Sequence, residues 1–377
     1  MNIEEEILAA TEDFAKKHIA PFEKEIEREG RLVEEKFREL GKHGFIAIPF
    51  PEKYGGLGQS FEFYAEVAEK FAFGSGTLAA VLGAHSLSVF SILLGGTEQQ
   101  KEKYLPKMIR GELMGSFALT EQNAGSNPAD IETRAVKDGD FYVLDGTKVF
   151  TTNAGLSDIY VVMAKTDPAR GARGISAFIV EKTDEGFSVG RQEDKMAFPG
   201  LPNASLFLNN VRIPKERLLG RENSGFIIAM KTLDLGRITA SAGATGLARR
   251  ALYEAVKYAK RREQFGKPIA SFEMIQSYIA EMGAKIEASE LLLLKAARLS
   301  DEKSRNLPKF AAIAKYFSAK AAADVARKAV QIFGGYGFIE DYPVARLYKG
   351  AKMYEIIEGT SEIQKLIIAN SIIKETE

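Results

Sequence analysis

An α+β protein in three parts, helical, then β, then helical, is predicted from two changes of hydrophobic period and from the turn residues between them. Up to about Gly111, apolar residues recur at three and four, as in Ile7, Phe14 and Ile19 or Phe37, Leu40 and Phe45, the repeat of one helix face. Pro49, Pro51 and Gly55-Gly56-Leu57-Gly58 break that repeat and mark a turn. From about Ser116 to Pro214, short β-branched and aromatic runs take over at 141–144, 160–163, 175–180 and 206–208. Asp138-Gly139, Asp145-Gly146 and Gly171-Ala172-Arg173-Gly174 separate them, the punctuation of a small antiparallel β domain. From Gly225 the period is helical again, with Ala-, Leu-, Glu- and Lys-rich stretches near 225–262, 270–300 and 309–333, the lengths of a bundle. The limits fall at 1–115, 116–224 and 225–377.

A chain of 377 residues suits two or three domains at roughly 150 residues each. Lys+Arg 51 against Asp+Glu 51, with no basic stripe, removes the electrostatic footprint of a nucleic-acid binder. Cysteine is absent, which excludes disulfides, thiolate catalysis and Cys-held zinc or iron–sulfur clusters. His18, His43 and His85 lack the spacing of a metal site and are read as structural or surface residues. His85 is the most open to a role, lying between small residues in an apolar segment. The opening Met1-Asn2-Ile3-Glu4-Glu5-Glu6 is acidic and no apolar run is read as reaching the roughly 18 residues of a span, so a cytoplasmic protein without membrane attachment is expected.

The most informative stretch runs from Tyr354 to Lys365, where Glu358 precedes Gly359-Thr360 in an apolar, helical-looking segment. A glutamate held among Ile356, Ile357 and similar neighbours loses hydration as an anion, so its pKa should rise into the range of a catalytic base. Gly359 lets the backbone approach a ligand closely. The alternative is a surface Glu ahead of a helix that starts at Thr360. Gly74-Ser75-Gly76-Thr77-Leu78-Ala79 matches a loose dinucleotide fingerprint but lies between helices, without the βαβ unit that gives it meaning. Gly334-Gly335-Tyr336-Gly337 is followed by no Lys-Ser/Thr and is either a helix C-cap or a backbone surface for a ligand.

Five segments in order resemble the acyl-CoA dehydrogenase family over almost the whole length. They are Leu119-Thr120-Glu121-Gln122-Asn123-Ala124-Gly125-Ser126, Lys148-Val149-Phe150-Thr151-Thr152-Asn153, Arg262-Glu263-Gln264-Phe265-Gly266-Lys267-Pro268, 331–337, and Ile357-Glu358-Gly359-Thr360. The resemblance implies an N-terminal helical domain, a middle β domain, a C-terminal four-helix bundle, and FAD between sheet and bundle. It implies that the Thr152 hydroxyl bonds flavin N5 and that Phe150, Trp in many members, covers a ring face. Leu119 and Thr120 would line the pyrimidine side, Gly125 and Ser126 would meet the pyrophosphate, and Thr360 would join the flavin contacts. Arg262, Phe265, Gln331, Gly334 and Gly335 would face the adenine half of a neighbour's FAD, in a homo-oligomer that is typically a tetramer.

The implied reaction is α,β-dehydrogenation of an acyl-CoA within fatty-acid β-oxidation, Glu358 removing the α-proton while the β-hydride passes to flavin N5. Electrons go on to an electron-transferring flavoprotein. Ser126, Asp234, Arg237 and Gly359 would contact substrate, Asp234 at the pantetheine arm and Arg237 behind the site. Some members carry the base just before that arginine; here the position is Gly236, which leaves Glu358. The chain departs from the family at Lys195–Ser205, where a Gly-x-Arg-x-Ser-x-Thr pattern is replaced by a sequence with Pro199 and Pro202, stiffening a loop near the clefts. Ile357 replaces an aromatic, and with Leu87, Phe90 and Leu94 as pocket walls a short, medium or cyclic acyl group is expected. Alternatives are an enoyl-CoA reductase or acyl-CoA oxidase on the same scaffold, or a non-catalytic flavin- or CoA-binding assembly protein.

Overall fold

Side-chain caps set several of the N-terminal helices in a computed structural model that describes residues 3–29 and 32–375. The helices are α1 (Ile3–Phe14), α2 (Glu23–Glu29), α3 (Val33–Lys42), α4 (Phe61–Gly74), α5 (Gly76–Gly95) and α6 (Glu98–Ile109). Ser60 and Ser75 accept N–H bonds at the starts of α4 and α5, and Thr97 with Gln100 forms a capping box on α6, each satisfying donors a helix start leaves open. Helix α5 is long and apolar enough to cross a membrane by length and composition, which corrects the expectation of no such run; Gly, Ser and His interrupt it in the sequence. It packs against α4, α7 and the first strand, as a helix that is apolar all round does inside a protein core.

The middle of the chain forms β1 (Gly115–Ala118), β2 (Arg134–Asp138), β3 (Phe141–Thr152), β4 (Ile159–Lys165), β5 (Ile175–Glu181), β6 (Phe187–Gln192), β7 (Asn203–Pro214) and β8 (Leu218–Leu219). Their order is β6-β7-β3-β2-β4-β5-β8, with β1 beside β4. Pairing is antiparallel except where β1 and β2 meet β4 in parallel. The four predicted runs are β3, β4, β5 and β7. The others went unread because β1 and β8 are very short and β2, Arg-Ala-Val-Lys-Asp, is almost wholly exposed.

The C-terminal part holds α7 (Gly225–Ala259), a hairpin of β9 (Glu263–Gln264) and β10 (Lys267–Pro268), α8 (Glu273–Asp301), α9 (Leu307–Phe333), α10 (Pro343–Tyr354) and α11 (Ser361–Glu375). Helix α7 is the spine, touching α4, α5, α8, α9, α10, β4 and β5. Small residues permit this. A Cβ at Gly246 would stand 2.2 Å from the Glu69 carbonyl oxygen, so α4 and α7 meet backbone to backbone.

The loop that departs from the family pattern is anchored. Phe198 is buried, and a Cβ at either Gly76 or Gly350 would stand 2.6 Å from its ring, so glycines on α5 and α10 make its slot. Gly200 N–H also donates to the Glu27 carbonyl at 2.8 Å. The segment thereby ties the β domain to helices on both sides.

Candidate active site

Two consecutive left-handed residues, Glu358 at φ 55° and Gly359 at φ 89°, place the candidate base in the turn between α10 and α11. The expectation of a helical segment here is corrected by these angles, which no right-handed helix accommodates. Thr360 Oγ1 accepts the Ile363 N–H and caps α11, so Thr360 does begin a helix, but Glu358 is not a surface residue ahead of it. Although the residue as a whole is partly exposed, its Oε2 is fully buried without a hydrogen-bond partner.

The wall facing that oxygen is Gly236. A Cβ there would lie 2.8 Å from Glu358 Oε2 and 2.6 Å from Leu87 Cδ2, so the missing side chain on α7 is the space the carboxylate occupies. Burial pushes Glu358 up to about 7, against the pull of Arg237 and Lys315, as desolvation outweighing nearby cations requires. Arg237 is buried, with Nη1 donating to Asp234 Oδ1 at 2.5 Å and Nε unpartnered. Asp234 is itself raised to about 6 by burial, opposed by Arg237. Neither is an ordinary exposed helix charge.

Two residues that sequence reasoning missed hold the turn from behind. Lys315 Nζ donates to the Gly359 carbonyl at 2.6 Å, and Gln364 Nε2 donates to the Glu358 and Gly359 carbonyls at 3.0 and 2.9 Å. The signal for Lys315 was available: it stands between Ala311 and Ala319 at intervals of four, on the buried face of α9, where an unpaired ammonium is costly.

The β-domain residues gather at one end of β3, tied to α5. Ladder pairing between β3 and β7 shifts between Lys148 and Thr151, and in that bulge Phe150 turns left-handed at φ 55° and stands 66% exposed. Asn203 Nδ2 donates to the Phe150 carbonyl at 2.9 Å and to Thr152 Oγ1 at 3.3 Å, leaving the Thr152 hydroxyl hydrogen free to donate elsewhere. Asn153 Nδ2 bonds the Val81 carbonyl at 2.9 Å, so this end abuts the helix whose Leu87 touches the Glu358 pocket. Leu119 and Thr120 run beside it, Val149 N–H donating to the Thr120 carbonyl at 2.9 Å and Lys148 Nζ to that of Leu119 at 3.2 Å. Lys148 is wholly buried and pairs with Glu121 at 2.6 Å. Glu121 also accepts the Thr133 N–H and hydroxyl, clamping both ends of the loop that carries Gly125 and Ser126, which stand exposed.

A separate cluster lies at the far end of α7, roughly 35 Å from Gly236 at 1.5 Å per residue. Arg262, Gly334 and Gly335 line an open groove of ≈ 530 Å³ with Tyr258 and Tyr336. Gly334 caps α9 at φ 60° and ψ −134°, a conformation reserved for glycine, so the motif is both a C-cap and a ligand-sized surface. Gln331 is exposed, and Phe265, 94% exposed, forms with Gly266 a turn left-handed at both residues, the type I′ hairpin connection.

Of the expected walls, Leu87 is at the site, whereas Phe90 packs on Phe50 and Phe61 and Leu94 faces solvent. That expectation chose the wrong end of α5. An enclosed cavity of ≈ 20 Å³ instead lies beyond Leu87 towards the start of α5, lined by Tyr64, Phe71, Gly83, Ser86, Thr239 and Gly243. His85 is structural: its Nδ1 accepts the Gly115 N–H, its Nε2 donates to the Met108 carbonyl, and burial lowers it to about 4.

A helical–β–helical fold with a buried carboxylate on an interhelical turn has the makings of an enzyme that moves protons, and comparison with known proteins gives the family. The acyl-CoA dehydrogenase N-terminal, middle and C-terminal domain models match residues 2–112, 116–211 and 223–373. The chain belongs to the acyl-CoA dehydrogenase family, whose members are FAD-dependent oxidoreductases. It is 44% identical over 365 residues, 96% of each chain, to a 3-(aryl)acrylate reductase of Clostridium sporogenes. It is 43% identical, again over 96% of each chain, to a subunit of the caffeyl-CoA reductase–Etf complex of Acetobacterium woodii. The solved butyryl-CoA dehydrogenase of Megasphaera elsdenii superposes with a TM-score of 0.95 at 40% identity, covering 99% of this chain and 98% of that one.

The burial of Glu358 has a measurable consequence for stability. Its folded value of about 7 lies above the ordinary 4.5 of the unfolded chain, so folding disfavours the anion, and stability falls as pH rises from about 4.5 to 7, by about 3 kcal/mol in all. Glu358→Gln should therefore melt a few degrees above the parent at pH 8 and together with it near pH 4.5. Equal melting at pH 8 would mean that the carboxylate is hydrated.

Proposed function

We propose that this chain catalyses α,β-dehydrogenation of an acyl-CoA thioester to the trans-2-enoyl-CoA, with Glu358 as base and an electron-transferring flavoprotein as electron acceptor. The observation that carries the reading is the buried, partnerless Glu358 Oε2 against Gly236. A carboxylate so placed is strong enough, near neutral pH, to take a proton from carbon once the thioester oxygen is polarised. The chain has its own donor for that oxygen: no hydrogen bond joins the Glu358 N–H to another described residue. Arg237 and Lys315 then favour the anion before proton transfer, and burial favours the acid after it.

The donors and surfaces near β3 fit a flavin. Thr152 has a free hydroxyl hydrogen, Phe150 offers an exposed ring face, and no atom lies within 4 Å of a Cβ built at Gly125, leaving room for a phosphate to approach. Bound FAD supplies the hydride acceptor. We assign Thr152 to hold the flavin N5 side, Phe150 to cover a face, Leu119, Thr120 and Thr360 to flank the ring, and Gly125 and Ser126 to meet the pyrophosphate, with Ser126, Gly359, Asp234 and Arg237 also on the substrate side. Arg262, Phe265, Gln331, Gly334 and Gly335 cluster at the far end of α7, too far from Glu358 to share that flavin, which supports an oligomer in which they serve a neighbour's adenine; we take it to be a homotetramer.

The cavity beyond Leu87, with room for about one water, supports a short acyl group. Enoyl-CoA reduction is the second reading, favoured by the two relatives named as reductases, one in an Etf complex. Glu358 would then give its proton to the α-carbon.

Anaerobic titration of the FAD-loaded protein with acyl-CoA thioesters from short to long, branched and cyclic tests the main reading. Some should bleach the oxidised flavin band, and Glu358→Gln should abolish the bleaching. Dehydrogenation needs the carboxylate, so its rate should rise with pH through about 7; reduction needs the acid and should fall through the same range. Survival of bleaching in the variant would move the base elsewhere. Gly83→Leu, filling a site where a Cβ meets only Thr239 Oγ1 at 3.9 Å, should weaken kcat/KM for the bulkiest active thioester on the order of tenfold and spare the smallest; uniform loss would place the acyl group elsewhere. Native mass should be four times the 41.4 kDa chain, with Arg262→Ala losing FAD while keeping that mass. A monomer that retains FAD would overturn the shared site.

A further inference from the structure

Lys315 sits in the middle of α9 with 1% of its surface exposed. Moving an ammonium out of water costs several kcal/mol unless partners compensate, so the groups around it are informative. Its only hydrogen-bond acceptor among the described residues is the Gly359 carbonyl, at 2.6 Å. That carbonyl also receives Gln364 Nε2, which bonds the preceding Glu358 carbonyl as well. Gln364 is wholly buried. Helices α9 and α11 therefore grip the two peptide groups that follow the base; the ends of the turn are also joined by the Ser361 N–H donating to the Glu355 carbonyl at 2.9 Å, which leaves the Gly359 carbonyl itself to Lys315 and Gln364.

The grip has something to hold. A left-handed residue other than glycine costs roughly 1–2 kcal/mol, and Glu358 is one, followed by left-handed Gly359. Without donors on those carbonyls the turn would relax, and the Glu358 side chain and N–H would leave the Gly236 wall together. The charged groups facing Lys315 are Glu358, Glu355 and Glu362 with Arg237 from α7. Glu355 is already neutralised by Lys320 and Lys352, and Arg237 by Asp234. Glu362 stands exposed to solvent, so Glu358 is the shielded anion left for Lys315.

We propose that Lys315 is the positioning residue of the base: its ammonium pins the Gly359 carbonyl, fixing the left-handed turn that aims Glu358, and its charge stabilises the Glu358 carboxylate. This rests on Glu358 being the base. The lowering of Lys315 itself to about 8 by burial, resisted chiefly by Glu358, agrees with a cation retained through that pairing.

The test compares Lys315→Met, which keeps bulk and loses donor and charge, with Lys315→Gln, which keeps a neutral donor, and Lys315→Arg, which keeps the charge. In FAD-loaded protein, Lys315→Met should slow flavin bleaching at pH 7 by about tenfold or more and move the acid limb of its pH profile upward by about one unit. Lys315→Gln should move the limb alike and lose less rate at saturating pH; Lys315→Arg should leave the limb in place. The melting gap between a Glu358 protein and its Glu358→Gln partner at pH 8 should widen in the Lys315→Met background, a readout independent of turnover. An unmoved limb in folded Lys315→Met or Lys315→Gln, or an unchanged gap, overturns the proposal. If both fail to fold, a displaced limb in Lys315→Arg overturns the charge role and an unmoved one upholds it. Failure of the base assignment is distinguishable, because Glu358→Gln alone would then still bleach.

Discussion

Taking a carboxylate out of water raises its free energy by several kcal/mol unless cations or donors replace the lost hydration, and much of this molecule is arranged around one such group. Glu358 Oε2 lacks any donor of its own, so its compensation is electrostatic, from Arg237 on α7 and Lys315 on α9. Each cation must in turn be held: Arg237 by Asp234 one turn away, Lys315 by the Gly359 carbonyl. The incomplete compensation is useful. A fully paired carboxylate would sit well below its ordinary pKa and be a weak base, whereas one left partly desolvated holds a proton near neutrality.

Geometry of that kind needs rigid walls, and the packing supplies them. Helix α7 presents Gly236 to the carboxylate and meets the other helices at small residues, with Gly246 against the α4 backbone and Gly243 against Tyr354. A larger residue at these contacts would separate the helices and open the pocket to water. Helix α5 forms the opposite wall: Leu87 touches the pocket, Val81 receives Asn153 from the β3 end, and Gly76 accommodates Phe198. One apolar helix thus fixes the distance between the β3 end and the base, which explains why a segment hydrophobic enough for a membrane lies inside the protein.

The order helical, β, helical was legible because period is a local property, and α7, α8 and α9 lie within a few residues of their predicted limits. Strands β1, β2, β6 and β8 were not, since a four-residue or largely exposed strand has too little alternation to register. Glu358 could be singled out from its neighbours in sequence, yet what suits it to be a base arrives from Gly236, Arg237 and Lys315, between 43 and 122 positions earlier in the chain. Apolar composition near Glu358 pointed to burial for the wrong reason, because Ile356 is exposed. The side of α5 that forms the pocket was misjudged for a related reason: an all-apolar helix has no polar face to reveal which end meets the site.

A carboxyl group pushed up to about 7 by burial is present in comparable amounts as acid and as base at neutral pH, so under the proposed function Glu358 would accept a proton from the α-carbon of a saturated thioester as readily as it would return one to the enoyl product. Microscopic reversibility then assigns it the same position in both directions. Nothing in the pocket that fixes this carboxyl, whether Gly236, Arg237 or Lys315, distinguishes removal of hydrogen from its addition. Under that reading the preference would come from the electron side, from the potential of the bound cofactor and of its electron donor or acceptor. Relatives of about equal similarity are accordingly named as a reductase and as a dehydrogenase, with one fold and, on this reasoning, one proton-transfer geometry serving both.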